Sequence, residues 1–299
     1  MTNFTTVIEF ADLCNDSYIQ RDIKEALSDG LKLWTMITDS LIILKKEETP
    51  KHFFARAYRR FSGDVVIAYR GTASLIKDAK ADLLLFGKWQ SSYVDAALKF
   101  YDTIFDLSKD NSLYQHPPAV TGHSLGGYLA QVVSDVGTGS PLCVAFNAPQ
   151  ASELKVKTKE GTHFIDYRIE HPNIHNIDDF SDLIHHYGKT LGDEEVMNML
   201  DPFCKLHPHD ILNNPFFNLT EMDPQKNFFH FKPEFFGYFR THSMDHEAPY
   251  HITHGIEPLR KSISKKSEFQ SKVYPYIRPT PTKEETGLFH NILKKIREL

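Results

Sequence analysis

The feature that most constrains this chain is Gly122-His123-Ser124-Leu125-Gly126-Gly127, which sits between two segments of opposite character. Before it stands a short β-like run, Ala119-Val120-Thr121; after it Leu125 to Val136 reads as a helix. Gly-x-Ser-x-Gly in that context is the pattern of a nucleophile elbow, a sharp strand-to-helix turn that presents a serine hydroxyl. Such a turn is strained, and it calls for glycine wherever a Cβ would collide with neighbouring backbone. Gly122 and Gly126 hold those two places. Ser124 then lies at the N-terminus of the helix, where unpaired N–H groups and the helix dipole favour a developing oxyanion. A packing turn with no chemistry can carry the five-residue pattern too. The fuller run here, with an Ala-Gln helix behind it, favours the nucleophile.

The chain around the elbow alternates strands and helices. Val65 to Tyr69 is a continuous apolar run of the kind expected for a strand buried on both faces. His52 to Arg59 reads as a weaker strand before it, and Leu142 to Phe146 as a buried strand after the elbow. Helices are expected over Leu75–Phe86 and Ser91–Leu107, the second with Val94, Ala97, Leu98, Tyr101, Ile104 and Phe105 on one stripe. Residues 5–48 read as helices throughout, with Gly30 as a break. Short connections between these elements argue an α/β fold, a mostly parallel sheet with helices on both faces.

Two later segments differ. Residues 189–241 crowd nine phenylalanines among five prolines and do not read as a sheet element. They are expected to form a cover or lid that also walls an acyl site. Beyond residue 257 the chain is basic and ends in a tail over 283–299 whose last residues, Leu288–Leu299, read as an apolar-faced helix. That helix suits either peripheral contact with a membrane surface or packing on its own domain. The expected organisation is therefore one domain over 1–256, with 189–241 as a covering insertion and 257–299 as a basic C-terminal extension.

Composition excludes several classes. A net charge of −5 gives no footing for a nucleic-acid partner. Three scattered cysteines, Cys14, Cys143 and Cys204, make no disulfide framework. No run approaches the length of a membrane-spanning helix, and no Sec-type signal is visible, so the reading is cytoplasmic or exported by another route. The late histidines include His242-x3-His246 and His251-x2-His254, but without a supporting Cys or Glu arrangement no metal site is expected.

Thr121 to Gln131, together with Val65-Val66-Ile67-Ala68-Tyr69-Arg70-Gly71-Thr72 and Ala145-Phe146-Asn147-Ala148-Pro149, resembles the class 3 lipases, the fungal-lipase-like branch of the α/β-hydrolases. The resemblance covers residues 50–190. It implies an α/β-hydrolase fold, a serine esterase acting on lipid esters (lipase or phospholipase type), and no cofactor. In that fold the triad follows the order Ser, acid, His. The family's acid sits in an Asp-Pro-Val-like step after a strand, and Asp182-Leu183-Ile184 matches best. Leu183 replaces the proline, which keeps Asp178 and Asp179 as alternatives. For the base, His242 in Thr241-His242-Ser243-Met244 resembles a His-Ser-Met segment of bacterial relatives, with His246 and His251 as alternatives. Arg70-Gly71-Thr72 matches the family's Arg-Gly-Ser/Thr and makes Thr72 the second oxyanion donor beside the backbone N–H of Leu125. Two rivals remain from the sequence: a thioesterase or acyltransferase using the same triad, and a catalytically silent hydrolase fold that binds a membrane or partner.

Overall fold

A computed structural model describes residues 5–20, 22, 27–71, 92–108, 116–158, 161–179, 188–197 and 256–278. The elements are α1 (Val7–Asp16), β1 (Trp34–Asp39), α2 (Ser40–Ile43), β2 (Ala55–Arg60), β3 (Val65–Tyr69), α3 (92–108), β4 (Ala119–His123), α4 (Leu125–Val136), β5 (Cys143–Phe146), β6 (Lys155–Thr158), β7 (Gly161–Phe164), β8 (Ile174–Asp179), β9 (Asp193–Met197), α5 (Ile256–Lys265) and α6 (Ser267–Gln270). Seven strands form one sheet in the order β1-β2-β3-β4-β5-β8-β9, and β6 with β7 makes a separate hairpin. From β3 to β9 all neighbours are parallel, while β1 and β2 run antiparallel at one end. This is the mostly parallel sheet of an α/β-hydrolase fold.

The apolar run of β3 explains its central place. Ile67 and Tyr69 join the core beneath α3 and α4, whereas Val66 and Ala68 join the core beneath α1 and α5. Alternate side chains point to opposite faces of a strand, so a strand with helices on both sides must be apolar at every position. The stripe expected on α3 packs as read: Val94, Ala97, Tyr101, Ile104 and Phe105 are all buried.

Three elements differ from the sequence reading. Trp34–Asp39, taken as helix, is the edge strand β1. Trp34, Met36 and Thr38 are buried and Thr35 and Ile37 exposed, a period of two. Aromatic and β-branched residues at that period fit a half-buried strand better than a helix turn. Asp39 then caps α2, accepting from the amides of Leu41 at 2.9 Å and Ile42 at 3.3 Å.

The second difference is β9, which lies inside 189–241 yet pairs with β8 from His175–Asp193 to Asp179–Met197. Its Asp-Glu-Glu-Val-Met sequence carries no strand signature, because a sheet-edge strand need bury little.

The third lies beyond 257, where an extension was expected. Ile256, Leu259 and Ile263 of α5 are wholly buried against α1, and Arg260 pairs with the buried carboxylate of Asp12. The chain then returns along α1: the amide of Val7 donates to the carbonyl of Lys272 at 2.9 Å, and Thr6 bridges Val273. Residues 256–278 thus complete one face of the sheet. Leu259→Ala should lower the stability of the whole chain by about 2–5 kcal/mol, the usual cost of emptying a packed leucine site. Urea denaturation followed by tryptophan fluorescence would read this, and an unchanged midpoint would return α5 to the status of an appendage.

Candidate active site

The elbow is built from backbone contacts that only glycine permits. Ser124 joins β4 to α4 at φ 57° and ψ −128°, a conformation that a residue with a side chain seldom holds. A Cβ on Gly122 would stand 2.2 Å from the carbonyl carbon of Gly126, so the strand end and the first turn of the helix touch backbone to backbone. A Cβ on Gly126 would stand 2.0 Å from the carbonyl oxygen of Tyr69, which presses the helix onto the end of β3. One on Gly127 would meet the Cβ of Ala148 at 2.5 Å, in the loop after β5. Three strand ends therefore converge on the N-terminus of α4.

Register puts the neighbours of the serine at one level. The amide of Ser124 donates to the carbonyl of Phe146 at 3.1 Å, and that of Asn147 to the carbonyl of Ile177 at 3.1 Å. Ser124, Asn147 and Asp178 thus stand side by side at the carboxyl ends of β4, β5 and β8, where open α/β sheets place their ligands. Strand alternation assigns Asp178 to the face that carries α4, since Ile174 packs there, while Ser124 and Asn147 follow the ends of their strands at positive φ. Adjacent strands lie about 4.8 Å apart, so the backbones of residues 124 and 178 are separated by roughly 10 Å. An imidazole bonded on both sides spans a gap of that order.

Burial is high throughout. Ser124 is 5 % exposed, and Asn147 and Asp178 are fully enclosed. The Ser124 side chain does not cap α4, so the first amides of the helix, Leu125 foremost, are left to other partners. Behind the site, Gln131 of α4 donates to the side-chain Oδ1 of Asn176 at 3.0 Å and accepts from the Ala151 backbone amide at 2.8 Å. Asn176 donates in turn to the Leu191 carbonyl at 2.7 Å, and the Leu191 amide donates to Gln150 at 3.1 Å. This chain of amides ties α4, β8, the loop after β5 and the turn into β9 into one support.

On the opposite face, His123 is buried and its Nδ1 stands 3.3 Å from the hydroxyl of Tyr18. Strand alternation turns it away from Ser124, in keeping with the structural role read for it. The Tyr18 hydroxyl also accepts from the amide of Gly71 at 2.9 Å. Gly71 in turn crowds the serine, since a Cβ there would lie 3.2 Å from the Ser124 Cβ. Tyr18 went unnoticed in the sequence because these contacts bridge 53 and 105 residues, a range over which no local pattern operates.

Of the expected site residues, the structure describes Ser124 and Leu125 at the elbow and Asp178 and Asp179 at the end of β8, two strands away. Thr72, Asp182, His242, His246 and His251 lie outside the described residues, as do 198–241 and 283–299. Among the described residues, no group of three or more His, Cys, Asp or Glu is arranged to hold a metal ion. Nor is any helix among them long and apolar enough to cross a membrane.

A family model described as Mbeg1-like matches residues 37–136, about a third of the chain. The matched span runs from β1 to the end of α4 and so contains the elbow whole. That family is lipase-like and related to the class 3 lipases. No curated protein matches the chain.

The backbone contacts carry a direct consequence. Gly126→Ala forces a methyl group onto the Tyr69 carbonyl at 2.0 Å, well inside contact. Overpacking of this kind costs about 1–3 kcal/mol and more where backbone must move. We expect the variant to unfold at a clearly lower urea concentration than the parent, and a superimposable curve would mean that the turn is looser than drawn.

Proposed function

We propose that this chain is a serine carboxylic-ester hydrolase that works through an acyl-enzyme on lipid esters. The observation that carries the reading is the conformation of Ser124, held at positive φ between a strand and a helix by contacts that exclude any Cβ at Gly122 and Gly126. Strain of that kind is kept where it presents a group for chemistry. The match of a lipase-like family model over the same residues supports the reading.

In the proposed cycle the Ser124 hydroxyl attacks the ester carbonyl while His242 takes its proton. The negative oxygen is held by the Leu125 amide and by Thr72, and the leaving alcohol departs with the proton from His242. Water then attacks the acyl-enzyme with the same imidazole as base, releasing the acid and restoring the serine. Asp182 fixes the tautomer of His242, with Asp178 and Asp179 as alternatives for the acid and His246 and His251 for the base. Asp178 gains support from standing level with Ser124 at the sheet edge. The chemistry calls for no cofactor. The apolar substrate is argued from the aromatic run within 189–241, and membrane contact through 283–299 belongs to the same proposal.

A fluorophosphonate probe and a series of p-nitrophenyl esters of rising chain length test this. The parent protein should label at a single site and hydrolyse the longer esters. Ser124→Ala should lose labelling and at least about a thousandfold in turnover, as expected when a triad nucleophile is removed. Thr72→Ala should lose about a hundred- to a thousandfold if the residue donates to the oxyanion. Cleavage confined to acetate would remove the lipid substrate and leave the esterase. Preferential transfer to an added alcohol, or cleavage of acyl-thioesters, would favour the transferase or thioesterase. Absence of any labelling would leave a silent scaffold.

A further inference from the structure

Tyr18 stands at an unusual junction. It follows α1 by two residues and belongs to the layer of the fold opposite α4. Its backbone is fixed on both sides by one side chain: the buried guanidinium of Arg56 donates to the carbonyl of Asp16 at 2.9 Å and to that of Ile19 at 2.8 Å. Tyr58 adds a bond from its hydroxyl to the Asp16 carboxylate at 2.9 Å. The turn that carries Tyr18 is therefore riveted to β2, and the phenol projects from a rigid base.

From there the hydroxyl reaches the two backbone segments that flank the serine. It accepts from the amide of Gly71, the last described residue before Thr72, at 2.9 Å. It also lies 3.3 Å from Nδ1 of His123, the residue before Ser124. A phenol has one proton to give and lone pairs to receive. With Gly71 as donor, the phenol either donates to Nδ1 or accepts from it, according to the His123 tautomer, and in both cases it joins Gly71 to His123. Burial raises the phenol above its usual pKa of 10, so it keeps its proton through the neutral range. Glycine at position 71 is part of the device, because a Cβ there would meet the phenol oxygen at 2.6 Å and the His123 carbonyl at 2.5 Å.

We propose that Tyr18 is a positioning residue for the nucleophile elbow: it ties Gly71, just past the end of β3, to His123, the strand residue before the nucleophile, and so holds these two backbone segments at a fixed spacing beside Ser124. The inference rests on the hydrolase reading above. Preorganised donors cost no rearrangement at the moment of reaction, and small misplacements are expensive in rate. Because the phenol's hydrogen bonds go to the Gly71 amide and the His123 imidazole, its loss should fall on turnover rather than on binding.

The test uses the full chain, a p-nitrophenyl ester and titration of active sites with the fluorophosphonate. Rates are expressed per titrated site, which removes any misfolded fraction from the comparison. Tyr18→Phe should lower kcat by about 10- to 100-fold, with KM within about twofold of the parent. His123→Ala should lower kcat in the same direction, whereas His123→Asn, whose side-chain amide can accept or donate near the place of Nδ1, should restore most of it. Equal kcat per site in Tyr18→Phe and the parent overturns the positioning role and leaves the hydrolase intact. Should Tyr18→Phe fail to fold, the histidine pair decides: equal rates for Ala and Asn overturn the proposal. A parent protein that neither labels nor hydrolyses any ester brings down the hydrolase reading and this role with it.

Discussion

Backbone meets backbone at the start of α4, and most of the architecture can be traced to that approach. The atoms of Gly122 and Gly126 come so close that a methyl group on the first would stand 2.2 Å from the second. At that distance the helix cannot swing away from the strand. The same helix leans on the Tyr69 carbonyl through Gly126 and on Ala148 through Gly127. The ends of β3, β4 and β5 are therefore located with respect to a single turn. Positive φ at Ser124 is the local cost of this arrangement, offset by the packing of Leu129, Val132 and Val133 further along the helix.

What could be read directly from the residues follows the same logic. Val65–Tyr69 announced itself because a strand covered on both faces must be apolar at each position, and Leu125–Val136 because a helix behind an elbow is apolar almost all round. β1 is masked in the sequence because Leu33 and Trp34 continue the helical spacing of earlier apolar residues, while the change of period to two begins only at Trp34. β9 was hidden for the opposite reason: Asp193, Glu194 and Glu195 give no apolar signal, and parallel pairing with β8 is what makes the segment a strand. The place of α5 escaped since its basic residues dominate the sequence, although Ile256, Leu259 and Ile263 share one face at helical spacing. Of the site, Ser124 and the Leu125 amide were legible from a local motif. The contacts of Gly71 with Tyr18 and of Gln131 with Asn176 were not, because the partners meet only after the sheet has formed.

Charge is handled inside this fold by pairing across layers. Arg56 lies buried with Asp16, and buried Asp12 pairs with the half-buried Arg260, so α1 is fastened to β2 on one side and to α5 on the other. Buried pairs of this sort add little net stability, since the desolvation of both partners opposes their attraction. Their value is geometric. A guanidinium that must satisfy several acceptors at once admits few arrangements, and Arg56 meets two carbonyls and a carboxylate around the turn that ends α1. Hydrophobic packing alone would allow that turn to slide along the sheet.

The two faces of the sheet therefore contribute to the site in different ways. The α4 face brings the elbow, Asp178 in a level row with Ser124 and Asn147, and the amide chain through Gln131 that supports them. The α1 face contributes no residue to that row, yet it controls where the loop after β3 stands, through a turn locked by Arg56 and a phenol bonded to the Gly71 amide. A change in the packing of α1 or α5 would thus reach the elbow without touching it. That coupling gives a physical reason for 256–278 to be part of the folded unit: α5 holds α1, α1 leads into the Tyr18 turn, and that turn meets the residue that leaves β3 and the end of β4, which carries the serine.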